Sequence, residues 1–379
     1  MKTESKTIKY IAIKNQILRM IQDGKYKIGD KLPSENEIAK EHNVSVITSK
    51  KALDELQNDG YIYRIKGSGS FVAEIEKTEN TKEVKMIAMV LPLGNETGGG
   101  MELFYGVEIV ARKHGYYVTV KNTHYDCQTE REIILSLLKD NIDGIIYYPS
   151  YSSENFDLIK KLSMEKYPIV VIDKTIYDID IDTVLCDNYA GSYKMTKYLV
   201  ELGHRNIAFV CEDGIDKTSS IRERFLGYCA AISEADISLD VNLVLSSKAA
   251  CGQETQKNNR ELFCEETAEK LKKNKQITAV QAACDADAVE LVQQCKKKNI
   301  AVPDEVSIVG FDDLEAASYI TPKLTTVKQD FKAIGKNAAE LLFKRIYDNG
   351  RKTEKILLPA SLIVRESSKS IDVNISNPD

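Results

Sequence analysis

The chain has 379 residues, 43% apolar and 29% charged, with a net charge of −5. That length suits two or three domains with cores large enough to need neither disulfides nor metal. Its eight cysteines are scattered without a C-x-x-C and its four histidines form no ligand set, which excludes a disulfide scaffold and a zinc module and leaves no metal or cofactor expected. No signal-like apolar region follows Met1 and no apolar run reaches membrane-spanning length, so a cytoplasmic protein without membrane contact is expected. The charge is unevenly shared: residues 1–74 carry 13 Lys+Arg against 10 Asp+Glu, so the remainder holds −8. A mildly basic head on an acidic body is the asymmetry expected if only the head meets phosphate.

From Thr7 to Gln22, apolar residues Ile8, Ile11, Ile17, Leu18 and Ile21 recur at helical spacing, and Gly24 stops the run. Ser34 followed by Glu37 is a capping box opening a short second helix through Glu41. Ser45 caps a third helix that ends at Gly60, with Ala52, Leu53 and Leu56 on its inner face and Val46, Ile47, Ser49 and Lys50 read as outward. Residues 61–65 and 70–72 then alternate as two strands around the turn Lys66-Gly67-Ser68-Gly69. Two helices joined by a tight turn and followed by a hairpin predict a winged helix-turn-helix. Its third helix would enter the major groove and its glycine-bearing tip would approach the backbone. A helical adapter domain is the alternative; the G-x-G of Gly67 and Gly69 lies between strands and is no nucleotide motif.

The runs LPSENEIA and VSVITSKKALDELQNDGYIYRIKGSGSFV resemble the GntR-family DNA-binding domain across nearly the whole head. By that resemblance double-stranded operator DNA would be contacted by Ser34, Glu35, Asn36, Ser45, Thr48, Lys50, Lys66, Gly67 and Gly69, to which the outward face of the third helix adds Val46 and Ser49. Val46 stands where that family usually has a guanine-reading arginine, and Lys50 replaces another. A lysine is a point charge without the bidentate fork, so the base preference departs from the family's.

Residues 75–84, charged and nearly free of large apolar side chains, read as a linker. Beyond it strands alternate with helices: strands at 86–91, 117–120, 144–148, 169–173, 207–210, 279–282 and 306–309, with helices between them at 102–114 and 129–139. Continuous apolar strands alternating with helices demand parallel sheets covered on both faces, and a stretch of this length suits two lobes. Ligands in such sheets bind beyond the carboxyl ends of the strands. Asp173, Asp285 and Asp312 stand at such ends, Arg224 lies early in a helix, and Phe104, Tyr147 and Tyr148 supply aromatic faces in a chain without tryptophan. Carboxylates, a guanidinium and an aromatic ring are the groups that grip a sugar. The alternative for each aspartate is a helix cap, and for Arg224 a pair with Glu223.

The stretches YPIVVIDK, DNYAGSYKMTKYLVELGHRNIAFV, RERFLGY and VPDEVSIVGFDDLEAASYITPKLTTVKQD resemble the effector core of the LacI/GalR family, itself similar to periplasmic sugar-binding proteins. The resemblance spans about Lys85 to Arg365 and assigns sugar contacts to Asp173, Arg224 and Asp285, with Cys284 in place of the usual asparagine. A GntR head on such a core is the plan of the arabinose repressor family. It implies a homodimeric repressor released from DNA by a small sugar, L-arabinose being that family's effector. An exported binding protein would have no use for the head. An enzyme finds no support either: no G-x-S-x-G, P-loop or catalytic histidine pair is present. The expected architecture is an α+β winged helix-turn-helix domain over 1–74 and an α/β two-lobed, periplasmic-binding-protein-like domain with parallel sheets over 85–370. A disordered tail is expected over 371–379.

Overall fold

The computed structural model describes residues 2–74, 84–94, 99–140, 142–151, 154–246 and 256–371. The linker expected over 75–84 and the tail expected over 371–379 therefore lie almost wholly outside the described residues.

The head consists of α1 (Lys2–Gln22), α2 (Glu35–Glu41), α3 (Val46–Asn58) and the hairpin of β1 (Ile62–Ile65) and β2 (Gly69–Val72). The capping box forms: the Ser34 N–H donates to Glu37 at 2.7 Å, and the Glu37 N–H donates back to the Ser34 hydroxyl at 3.3 Å. Ser45 caps α3 by accepting from the Thr48 N–H at 3.3 Å. Ile38, Ala52, Leu53, Leu56, Ile62 and Val72 make the core, and Lys14 of α1 pairs with Asp59 beyond α3 at 2.6 Å.

The body is built as two six-stranded sheets. In the first lobe β3 (Met86–Leu91), α4 (Gly100–Lys113), β4 (Tyr117–Asn122), α5 (Cys127–Lys139), β5 (Gly144–Tyr147), α6 (Phe156–Met164), β6 (Ile169–Ile172) and β7 (Asp182–Cys186) follow in order. The second lobe runs α7 (Asn188–Glu201), β8 (Ile207–Cys211), α8 (Ser219–Glu234), β9 (Val244–Ser246), α9 (Gln256–Lys273), β10 (Ala279–Ala282), α10 (Asp285–Lys297), β11 (Ser307–Asp312), α11 (Glu315–Tyr319) and β12 (Thr325–Lys328). The chain then returns to the first lobe as α12 (Phe331–Tyr347) and β13 (Lys355–Leu358), and ends in the second as β14 (Ser361–Ile363). The sheet orders are β13-β7-β6-β5-β3-β4 and β14-β12-β11-β10-β8-β9; only β14 is antiparallel to its neighbour. The central strands β5, β6 and β10 are buried at every position, as parallel strands covered on both faces must be.

Two close helix pairs hold the lobes in shape. A Cβ on Gly106 of α4 would come within 2.2 Å of the Lys332 carbonyl, and one on Gly335 of α12 within 2.1 Å of the Leu103 carbonyl. On the other side, a Cβ on Gly227 of α8 would meet the Tyr189 carbonyl of α7 at 2.3 Å. Backbone packed on backbone leaves no room for a methyl group, so these glycines are sites of approach rather than of turning. The α7–α8 contact matters most here because it carries Arg224. Among the described residues no helix is long and apolar enough to cross a membrane.

Candidate functional site

On the head, α3 exposes Val46 (43%) and Ile47 (68%), with Lys50 beside them, while Lys66, Gly67 and Gly69 sit at the exposed tip of the hairpin. Gly67 and Gly69 have φ of +83° and +116°, which a side chain at either position would strain. Ser34, Asn36 and Ser45 are exposed along the same stretch of chain. Two of the residues expected here need correction. Ser49 does not face outward: it is wholly buried, and its hydroxyl donates to the Glu35 carbonyl at 2.6 Å, fastening α3 to α2. Thr48 is also buried and shares a hydrogen bond of 2.8 Å with Ser45. Val46, Ile47 and Lys50 do face outward; Ser49 and Thr48 turn inward because their hydroxyls find partners in the Glu35 and Val46 carbonyls and in the Ser45 hydroxyl rather than in solvent.

Arg64 was not singled out by the sequence reading. From β1 it reaches Asp54 on α3 and Glu35 on α2, each at 2.6 Å, and its Nε donates to the Ser70 hydroxyl at 3.3 Å. One guanidinium thereby joins both helices of the reading motif to the wing. Glu35 is engaged in that clamp. An alternating apolar–polar strand gives no signal for it, since its partners are 10 and 29 residues away in sequence.

In the body, the carboxyl ends of the parallel strands bring four expected residues together. Arg224, buried on the second turn of α8, pairs with Asp312 at 3.0 Å, donates to Asn188 of α7 at 2.8 Å and to the Ala283 carbonyl at 2.6 Å, and lies 3.8 Å above the Phe311 ring. Asp173, beyond β6, pairs with Lys174 at 2.8 Å, and the Lys174 ammonium stands 4.2 Å over the Tyr148 ring. Burial alone would raise the Asp173 carboxyl; Lys174, with Arg224 further off, reverses this and holds it below the usual range. Asp312 is pushed the other way, upward, chiefly by burial and against the pull of Arg224. Asp173, Asp312 and Asp313 all adopt positive φ, at 67°, 122° and 57°. Such strain concentrates at ligand sites. Phe104, half-buried in the first turns of α4, lies at the same end of the first sheet.

Two expected contacts are not presented there. Tyr147 is wholly buried on the opposite face of its sheet, its hydroxyl donating to Glu130 at 2.6 Å. Successive strand residues point to opposite faces, so Tyr148, not Tyr147, is the ring beside Asp173 and Lys174. Asp285 is wholly buried as well, with one oxygen accepting from the Leu314 N–H at 2.8 Å and the other from the Thr326 hydroxyl at 2.5 Å. It braces α10 against β12 rather than reaching a ligand. Burial and the neighbouring Asp312 push its carboxyl up to about 7.

That shift has a measurable consequence. A carboxyl held above its unfolded value binds its proton more tightly in the native state, so stability falls as pH rises from about 4 to about 7. Asp285→Asn, which mimics the protonated form, is expected to flatten that fall: thermal melts at pH 5 should match wild type, and those at pH 8 should lie higher relative to it. An unchanged pH profile would show that Asp285 carries no excess proton.

Gln329, at the end of β12, is a further candidate that sequence reasoning passed over. Its amide nitrogen donates to Asp312 at 2.7 Å, while its carbonyl oxygen is buried without a partner. A buried acceptor beside the Arg224–Asp312 pair is a ready contact for a hydroxyl. The lobes touch across the opening: the Thr175 N–H donates to the Ser219 hydroxyl of α8 at 2.7 Å, and Arg222 lies 5.6 Å from the Tyr177 ring.

Residues 9–72 match the family described as bacterial regulatory proteins, gntR family, and residues 196–368 match the periplasmic binding protein-like domain. The arabinose metabolism transcriptional repressor of Geobacillus stearothermophilus is 29% identical, covering 96% of this chain and 98% of that protein. The regulator DegA of Bacillus subtilis is 30% identical over 77% of this chain and 83% of its own. Among solved structures, the transcription regulator CcpA of Lactococcus lactis aligns with a TM-score of 0.66 at 24% identity, covering 76% of this chain and all of that one. A complex of the regulator CelR with cellobiose aligns at 0.65 and 20% identity, covering 89% and 100%. Both structural likenesses establish the fold, and the matched proteins are named regulators and repressors rather than enzymes. With its winged head and two-lobed core in place, the chain belongs to the bacterial transcriptional regulators that join a GntR-type DNA-binding head to a LacI/GalR-type, periplasmic-binding-protein-like core.

Proposed function

We propose that the protein is a sugar-responsive repressor which binds a two-fold operator as a homodimer in the cytoplasm and is released by a small neutral sugar, L-arabinose being the first candidate. The observation that carries this reading is the cleft set of Asp173, Lys174, Arg224, Asp312 and Tyr148. Its cations are already neutralised by carboxylates, at 2.8 Å for Lys174 and 3.0 Å for Arg224, so the site suits hydroxyls better than a phosphate. The near full-length similarity to an arabinose metabolism repressor supports the choice of pentose. Calorimetry against a panel of pentoses and hexoses, followed by gel shifts on operator DNA with each sugar that binds, tests the reading. Saturable heat with L-arabinose together with operator release is expected; heat from no member of the panel would sink it.

DNA contact is proposed for the exposed face of α3 and the wing tip. Each phosphate neutralised contributes about −0.9 to the slope of log K against log salt. Lys66→Ala is therefore expected to weaken binding to all sequences and to flatten that slope by about one unit. An unchanged slope would remove Lys66 from the phosphate contacts.

A further inference from the structure

The chain enters β3 at Met86, the amino end of the first sheet, whereas the cleft lies at the carboxyl ends. There the Met86 N–H donates to Asp143 at 3.1 Å and the Asp143 N–H donates to the Met86 carbonyl at 3.0 Å. The head is thus tethered to the base of the first lobe, at the end remote from the sugar. It also rests on that base. Two stripes run along α1. Tyr10, under the Lys51 ammonium of α3 at 4.1 Å, and Lys14, paired with Asp59, lie on one with the buried Ile13 and Ile17, whereas Ile11, Asn15, Leu18 and Gln22, spaced as one helical face, border the lobe. Ile11 is buried in one apolar cluster with Leu138 and Ile142 of the first lobe. The head's Lys9 and Arg19 are close enough to act electrostatically on Glu165 and Tyr167.

The seam is incomplete. A cavity of about 690 Å³ separates the second stripe from residues 165–168, and two buried acceptors on its lobe side, Glu165 Oε2 and Asn349 Oδ1, have no hydrogen-bond partner. A permanent interface fills its voids and satisfies its polar groups; one built to part leaves some of both. The face is half polar, through Asn15 and Gln22, and it leaves Val46, Ile47 and Lys66 of the DNA-reading surface exposed. We propose that this seam is a separable latch which seats the head on the base of the first lobe. It offers a route, resting on the sugar-responsive reading above, by which lobe movement reaches the head other than through the dimer.

The chain has no tryptophan, so Leu18→Trp places a single reporter at the seam in the full-length protein. Adding Asn15→Glu sets a charge in the cavity that Asp143, Glu165, Arg19 and Lys166 line, beside two acceptors already without donors, and is expected to shift emission to the red and raise iodide quenching, while the neutral Asn15→Gln holds both at the parent values. Asn15 is half-buried on a helix surface, and melting curves check that each variant folds. Identical emission and quenching in all three proteins would overturn the latch. L-Arabinose is then titrated into the reporter protein alongside calorimetry. A red shift that saturates with the heat supports the route from cleft to seam, and heat without a shift overturns that route. Absence of heat counts against the sugar reading, and the latch is decided by the Asn15 variants alone.

Discussion

Arg224→Ala is expected to lower sugar affinity by at least tenfold while leaving operator binding near wild type. The guanidinium is buried and serves three acceptors at once: Asp312, Asn188 and the Ala283 carbonyl. Its removal destabilises the free fold by leaving buried groups unpartnered at about 1–3 kcal/mol each, and leaves Asp312 with the Gln329 amide but without its ion pair. For the sugar, the loss is a charge-assisted hydrogen bond of about 1.5–3 kcal/mol, more than the ~1.4 kcal/mol that corresponds to one decade of affinity. Arg224→Lys separates charge from geometry. A lysine restores the charge opposite Asp312 but cannot span Asn188 and Ala283 together, so it should recover only part of the loss. Wild-type calorimetry for Arg224→Ala would reduce this residue to a structural brace between α7 and α8.

Sugar and operator are expected to weaken each other's binding by one common factor. A coupling of about 1–3 kcal/mol corresponds to a change of some 5- to 150-fold, and linkage requires the same factor in both directions. The physical source expected is closure of the lobes about the three crossovers between the sheets, β7–α7, β12–α12 and β13–β14, which carry Asp187, Gln329 and the 358–361 segment. The interlobe bond from Thr175 to Ser219 belongs to the touching arrangement, so Ser219→Ala should favour separation and shrink the sugar-induced loss of operator affinity. The measurement is a pair of titrations, sugar with and without operator and operator with and without sugar. Equal affinities within each pair would sink the coupling even if both ligands bind. Asp285→Ala is not a clean way to uncouple the two, because its carboxylate holds α10 to β12 and to Leu314.

Most of the architecture was legible in the chain because it rests on local rules. The capping box of Ser34 and Glu37, the Ser45 cap, the glycine-bearing turn and the apolar runs at Met86, Gly144 and Ile169 each declare an element within a few residues. The interior strands β7 and β12 escaped notice because Asp182, Thr183, Thr325 and Thr326 interrupt their apolar runs, and so did the edge strands β9, β13 and β14. The three edge strands are 3 or 4 residues long, and the residues of β13 and β14 are never fully buried, so they lack the continuous apolar signature of central strands.

By itself, then, the sequence determined a winged head, two parallel sheets and the set of polar residues from which a cleft is drawn. Tertiary structure alone decided which of them reach it. Tyr147 and Tyr148 differ by one position, and only the sheet face packed against Glu130 shows that Tyr148 remains for the cleft. Asp285 and Asp312 both stand at strand ends, yet burial under Leu314 and Thr326 makes one a brace while the other meets Arg224. Gln329 and Arg64 acquire their roles from partners far away in the chain. Helix caps and strand periodicity are set by neighbours in sequence, whereas burial and pairing are set by neighbours in space.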